Sequence, residues 1–171
     1  VRGSPFELGE KVSAGGVDSV KVSVPSNFGL EPDSPEAERR KKLAEWITAH
    51  DNPLFSRVMM NRLWHYHFGK GLVQTTNDLG FSGGKPSHPE LLDWLAAEFR
   101  DQNWSLKAMH RLMCDSATYR QSSIDNAEAL NVDANNVLLW KKSMTRLEAE
   151  SIRDSILVVS GQLNKKMGGP G

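Results

Sequence analysis

Two sets of polar side chains in this sequence have the types and spacing to do chemistry. Asn61, Arg62 and His65 interrupt an otherwise apolar stretch, and Arg146, Glu150, Arg153 and Asp154 lie together further along the chain. Both stretches read as helices, and a helix advances about 100° per residue. Asn61 and His65 then project between Leu54 and Val58, and Arg62 projects between Val58 and Phe55. The four charged residues of the second set fall within one sector of roughly 100°. That sector lies apart from the apolar stripe Ile152, Ile156, Val159 and Leu163. A guanidinium turned into an apolar sector needs an anionic partner. Glu150 and Asp154, one turn apart, repel unless a cation intervenes. Arg62 is therefore expected to pair with Glu150 or Asp154 and clamp the two helices together, with Arg146 and Arg153 as competing cations.

A Gly-rich loop supplies two further candidates. His88 stands at the start of a helix after that loop, where free backbone N–H groups can hold an anion. Asp78, in Asn77-Asp78-Leu79-Gly80, could be a carboxylate at a cleft. The plainer readings are packing for His88 and an Asx turn for Asp78.

Other motifs are weaker. His65-x-His67 resembles a metal motif, but rings two apart on a helix point about 200° apart and cannot share an ion. Asn61 is a poor zinc ligand, so no metal is expected. Ser116 has no GxSxG surroundings, and the glycines form no GxGxxG after a strand. Cys114, the only cysteine, falls near an apolar stripe and is expected to be inert. It rules out a disulfide or a CxxCH haem attachment within this chain. Five Trp residues point to core filling.

The elements that must position these groups are mostly helical. Ser34-Pro35 and Asn52-Pro53 open the first two helices, the second ending near Gly69. The second helix is apolar nearly all round, which makes it central. Gly71 to Pro86 is a long loop. Ser87 with Glu90, and Thr145 with Glu148, have capping-box spacing and open the third and last helices. Leu91, Leu92, Leu95, Ala96 and Phe99 make one core-facing stripe on the third. Ser105 caps the fourth, whose stripe holds Met109, Met113 and His110. Residues 120–136 are polar and read as loop, and the last helix is expected to end between Gly161 and Asn164. Residues 1–33 read as an extended arm in which Val20–Val24 alternates as one short strand. The fold class is thus mainly α: five or so helices in an irregular bundle over residues 34–171, with that arm.

Composition narrows the function classes. Apolar residues at 39% and charged residues at 25% fit a soluble globular chain. Lysines plus arginines equal the acids at 21 each, so no basic footprint points to nucleic acid. The run Arg39-Arg40-Lys41-Lys42 reads as a solvated helix face. No apolar run is long enough to cross a membrane.

An ordered series of phrases then carries a resemblance. It comprises Asp51-Asn52-Pro53-Leu54, Asn61-Arg62-Leu63-Trp64, Phe68-Gly69-Lys70-Gly71-Leu72-Val73, and Pro86-Ser87-His88-Pro89-Glu90-Leu91-Leu92-Asp93-Trp94-Leu95-Ala96. It continues through Trp104-Ser105-Leu106-Lys107, Ser116-Ala117-Thr118-Tyr119-Arg120-Gln121, Arg146-Leu147-Glu148-Ala149-Glu150 and Ile152-Arg153-Asp154. The series resembles the planctomycete domain of unknown function fifteen-fifty-three. That resemblance implies the C-terminal module of a larger protein bearing a cytochrome c domain, exported or associated with the cell surface. Any haem would sit in that separate domain, with no cofactor in this chain. It also implies that the module continues past Gly168-Gly169-Pro170-Gly171, so that the helical domain is expected to be truncated.

The leading expectation is a non-catalytic helical module that docks to other domains of its own polypeptide or to a cell-surface partner. The alternative is part of a carbohydrate-related enzyme site, built from Asn61, Arg62, Asp78, His88 and the Arg146–Asp154 cluster and completed by further C-terminal residues or another domain. What separates them is whether these side chains converge in an open pocket or close on one another.

Overall fold

The computed structural model describes residues 9, 11–20, 22–166 and 168. The chain divides into two compact units, Val1–Arg120 and Gln121–Gly171. Among the described residues there are six helices and no strand. The mainly α reading therefore stands, but the strand expected at Val20–Val24 does not form at its described positions; Lys21 lies outside them. Alternation lacked a partner to pair with. Val20 N–H instead closes a turn on Val17 O at 3.0 Å, and Ser23 N–H donates to the Asp51 carboxylate. Among its described residues the arm makes an isolated antiparallel bridge between Gly15 and Asn27.

In the first unit, α1 spans Glu36–Ile47, α2 Pro53–Phe68, α3 Pro89–Asp101 and α4 Leu106–Asp115. Helix α2 starts where Asn52 Oδ1 accepts from Leu54 N–H at 2.9 Å and Pro53 takes the first helical position. It stops at Gly69, whose φ of 82° is a left-handed C-cap. As its composition demands, α2 is the hub, packing on both α3 and α4. Met60, Leu95, Met109 and Met113 are almost wholly enclosed. Each such side chain contributes roughly 1.5–3 kcal/mol by leaving water. Arg57 ties α2 to Asp93 of α3 at 2.6 Å, and Arg100 Nη1 donates to the buried Ser56 hydroxyl at 2.9 Å.

Two expected caps are absent for a tertiary reason or shifted by a residue. Helix α1 begins from Pro35, not Ser34, with no side-chain cap. Its basic run is a solvated face, with Arg40 paired to Glu36 at 2.6 Å. Helix α3 begins from His88, and the Ser87 hydroxyl donates to Leu72 O at 3.2 Å instead of capping. Ser87 N–H reaches the same carbonyl at 2.8 Å, so this residue closes the 71–86 loop. Ser105 does cap α4, accepting from Ala108 N–H at 3.3 Å. Between α3 and α4, Asn103 and Trp104 both adopt positive φ. That turn lays the Trp104 ring against Phe55 and Phe99, at 5.5 and 5.2 Å between centroids. Trp46 and Trp64 fill the core as expected, but Trp94 is half exposed.

In the second unit, α5 spans Ala127–Val132 and α6 spans Ala149–Val159. Helix α5 lies where a loop was expected. Asn126 Oδ1 accepts from both Glu128 and Ala129 N–H, a cap strong enough to close a short helix in a polar stretch. Asn136 anchors the following loop, its amide donating to Lys141 O at 2.9 Å and to Ser143 Oγ at 3.1 Å. Trp140 Nε1–H donates to Asp133 O at 2.9 Å, and Lys141 pairs with Asp125. Helix α6 starts from Glu148 without a side-chain cap, so the Thr145–Glu148 box does not form. It ends at Val159, before Gly161 at φ 72°.

Candidate functional site

The sequence-derived candidates in the first unit separate into one closed residue and one open hollow. Asn61 is fully buried on α2. Its Oδ1 accepts from Val73 N–H at 2.8 Å, and its Nδ2 donates to Val73 O at 2.9 Å. Both polar atoms of the carboxamide engage Val73's backbone in the core, so Asn61 positions the loop. His65 is half-buried and meets the Tyr66 ring edge-on at 5.8 Å.

Arg62 corrects the projection from sequence. It is exposed, and its Nη2 donates to Asn77 Oδ1 at 2.9 Å. The burial that required a carboxylate from the last helix does not exist, so the argument for a pair with Glu150 or Asp154 falls. Position on a helical wheel fixes a direction, whereas exposure depends on whether a neighbour lies there. At Arg62 the neighbour is Asn77, in the exposed part of the 71–86 loop.

Arg62, Asn77 and Asp78 line a hollow of about 340 Å³, with Leu54, Val58 and Leu79 as its apolar wall. Asp78 plays the turn role: its Oδ1 accepts from Gly80 N–H at 2.8 Å, and its carbonyl accepts from the Thr75 hydroxyl at 2.7 Å. His88 is half-buried, with Nδ1 3.0 Å from Ser87 Oγ. The hollow thus holds one cation, Arg62, beside one turn-forming acid, Asp78.

A second cluster in this unit was not assembled from sequence. His67 on α2 stands beside His110 and Cys114 on α4. His67 Nε2 lies 2.8 Å from His110 Nδ1, and His67 Nδ1 lies 3.9 Å from Cys114 Sγ. Tyr119 meets the His67 ring edge-on at 5.8 Å and 81°. The Ser116 hydroxyl makes the turn that brings Tyr119 there, donating to Met113 O at 2.7 Å and accepting from Tyr119 N–H at 3.1 Å. His110 was expected inside the α4 stripe but is exposed, and Cys114 is half-buried. The available signal was the i, i+4 spacing of His110 and Cys114, which puts both on one helical face.

In the second unit, Arg146, Glu150, Arg153 and Asp154 are all exposed. Arg153 Nη1 lies 3.4 Å from Asp154 Oδ1, a solvated pair of little energetic weight. The apolar side of α6 is uncovered as well. Ile152, Ile156 and Val159 are 46, 63 and 89% exposed, and no residue of this helix is buried. Ala149, Ile152, Ile156 and Leu157 form a shallow, nearly all-apolar hollow of about 330 Å³, edged by Arg153.

No helix is long and apolar enough to cross a membrane, and among the described residues no group of three or more His, Cys, Asp or Glu side chains is placed to hold a metal ion. Comparison with known proteins gives one match. The family model described as Protein of unknown function (DUF1553) covers residues 39–171, more than three quarters of the chain. No curated protein and no solved structure matches.

Proposed function

We propose, for a chain that belongs to the DUF1553 family of proteins of unknown function, that it is a non-catalytic docking module whose α6 face binds the cytochrome-bearing part of its own larger polypeptide. The observation that carries this is the uncovered apolar side of α6. An isolated helix of 11 residues is below the length that is stable in water. Helices this short persist by burying an apolar stripe, and Ile152, Ile156 and Val159 leave that stripe open. A surface of this kind marks an interaction site. Resemblance to the planctomycete family supports the choice of occupant. On the same ground the full protein is exported or held at the cell surface, and any haem belongs to the docked domain.

The test is titration of this chain with the separately produced cytochrome-bearing part, followed by calorimetry. The expected result is saturable binding that Ile152→Glu combined with Ile156→Glu weakens at least about tenfold. Circular dichroism should show the variant's helical content retained. Failure of the unaltered chain to bind, or equal binding by the variant, overturns the proposal.

A further inference from the structure

We propose that His67, His110 and Cys114 form a proton relay that makes Cys114 a nucleophilic thiol toward small acyl or alkyl donors carrying a leaving group. The arrangement has the three parts that an activated nucleophile needs: a nucleophile, a base within reach, and a group that orients the base. The contacts to His110 and to Cys114 use different ring nitrogens of His67. They are mutually consistent in one tautomer. With the proton on Nε2, His67 donates to His110 Nδ1 and leaves the Nδ1 lone pair facing Cys114 Sγ. The 3.9 Å separation is loose, as such contacts commonly are before a substrate tightens them.

The surroundings favour the charge that proton transfer creates. His67 lies in the last turn of α2, where the helix dipole stabilises a cation. Tyr119 and Phe68 present rings to its sides at 5.8 and 6.5 Å, restricting its rotation. His110 is exposed and gives the relay an outlet to water. His110 and Cys114 come from one face of α4, so the packing of α2 on α4 is what inserts His67 between them.

In the step proposed, Cys114 Sγ attacks the electrophilic carbon as His67 Nδ1 takes the thiol proton. The S–C bond forms and the carbon–leaving-group bond breaks, the electron pair departing with the leaving group. The Nε2 proton of His67 passes to His110 Nδ1, and His110 releases a proton to water. No oxidant or metal is required.

Because Cys114 is the only cysteine, iodoacetamide alkylation of the intact chain reports on it alone. The native chain is expected to react on the order of tenfold faster at pH 7 than the same chain unfolded in urea. His67→Gln should abolish the advantage. In His67→Ala, added imidazole should restore it, which a purely structural histidine would not allow. Should the His67 variants fail to fold, His110→Phe tests the same idea at an exposed position: it should slow alkylation severalfold with the fold intact. A native rate at or below the unfolded rate, or one indifferent to His110→Phe, overturns the relay. Iodide leaves and the thioether is stable, so mass spectrometry counts the product directly.

Discussion

Asn61 holds Val73 by both of its backbone polar groups, the carboxamide matching the N–H at 2.8 Å and the C=O at 2.9 Å. A side-chain amide that mimics a strand neighbour in this way fixes the direction of the chain leaving α2. Gly71 lies tightly beneath the same amide. A Cβ there would come within 2.9 Å of Asn61 Oδ1 and 2.5 Å of Val73 O. Asn136 uses the same device in the second unit, accepting from Lys141 N–H and donating to Lys141 O.

Asn61→Ala should destabilise the chain by about 2–4 kcal/mol. It orphans two buried backbone groups, each costing roughly 1–3 kcal/mol without a partner. Gly71→Ala should cost about 1–3 kcal/mol by overpacking. The double variant should cost less than the sum, since removing the amide relieves half of the clash. Urea unfolding of the four proteins measures this. Strict additivity would mean that Asn61 and Gly71 do not share the site described.

The Arg57–Asp93 pair should give a pH-dependent difference. The hydrogen bond from Arg57 comes first, with its charge adding to it against the effect of partial burial, and holds the Asp93 carboxyl below its ordinary value of 3.8. A carboxyl with a lowered folded value contributes stability above its unfolded value and loses it as pH falls through the folded one. Asp93 is half exposed, so the worth is that of a surface pair, about 0.2–1 kcal/mol. Asp93→Asn should therefore be less stable than the unaltered chain by that amount at pH 5–8, the gap closing below about pH 4. Thermal unfolding across pH checks it; a gap that widens in acid would contradict the assignment.

Arg62→Ala should cost no more than about 1 kcal/mol. The side chain is exposed, and its bond to Asn77 competes with water. A guanidinium paired in the core would have cost about 3–5 kcal/mol. Denaturant unfolding separates the two values cleanly, and a loss in the higher range would restore the buried reading.

Much of the secondary structure was legible because its causes are local. Asn52-Pro53 and Ser105 start helices where the sequence says they should, and Gly69 ends α2. The α3 stripe is buried at Leu92, Leu95, Ala96 and Phe99 because the 3.6-residue repeat places them on one side. Asp78 makes the Asx turn that its neighbours Leu79 and Gly80 suggest. Where a local signal had two outlets, tertiary contact chose. Ser87 has the spacing of a cap, yet Leu72 O offers its hydroxyl another acceptor. Asn126 caps a helix inside a segment whose polarity reads as loop.

Sequence by itself determined that the chain is mainly helical, that α2 is its hub and that the family resemblance runs through it. The first two follow from composition and periodicity, which act over a few residues; the resemblance rests on the ordered phrases themselves. Only the tertiary structure decided which polar groups are spent and which remain available. Asn61 and Arg62 are adjacent in sequence, yet one closes on Val73 in the core and the other faces water. His67 and His110 are 43 residues apart, yet their rings meet at 2.8 Å. The reason is physical: a helix repeat fixes the direction of a side chain, but burial and partnership depend on what another segment brings to that direction.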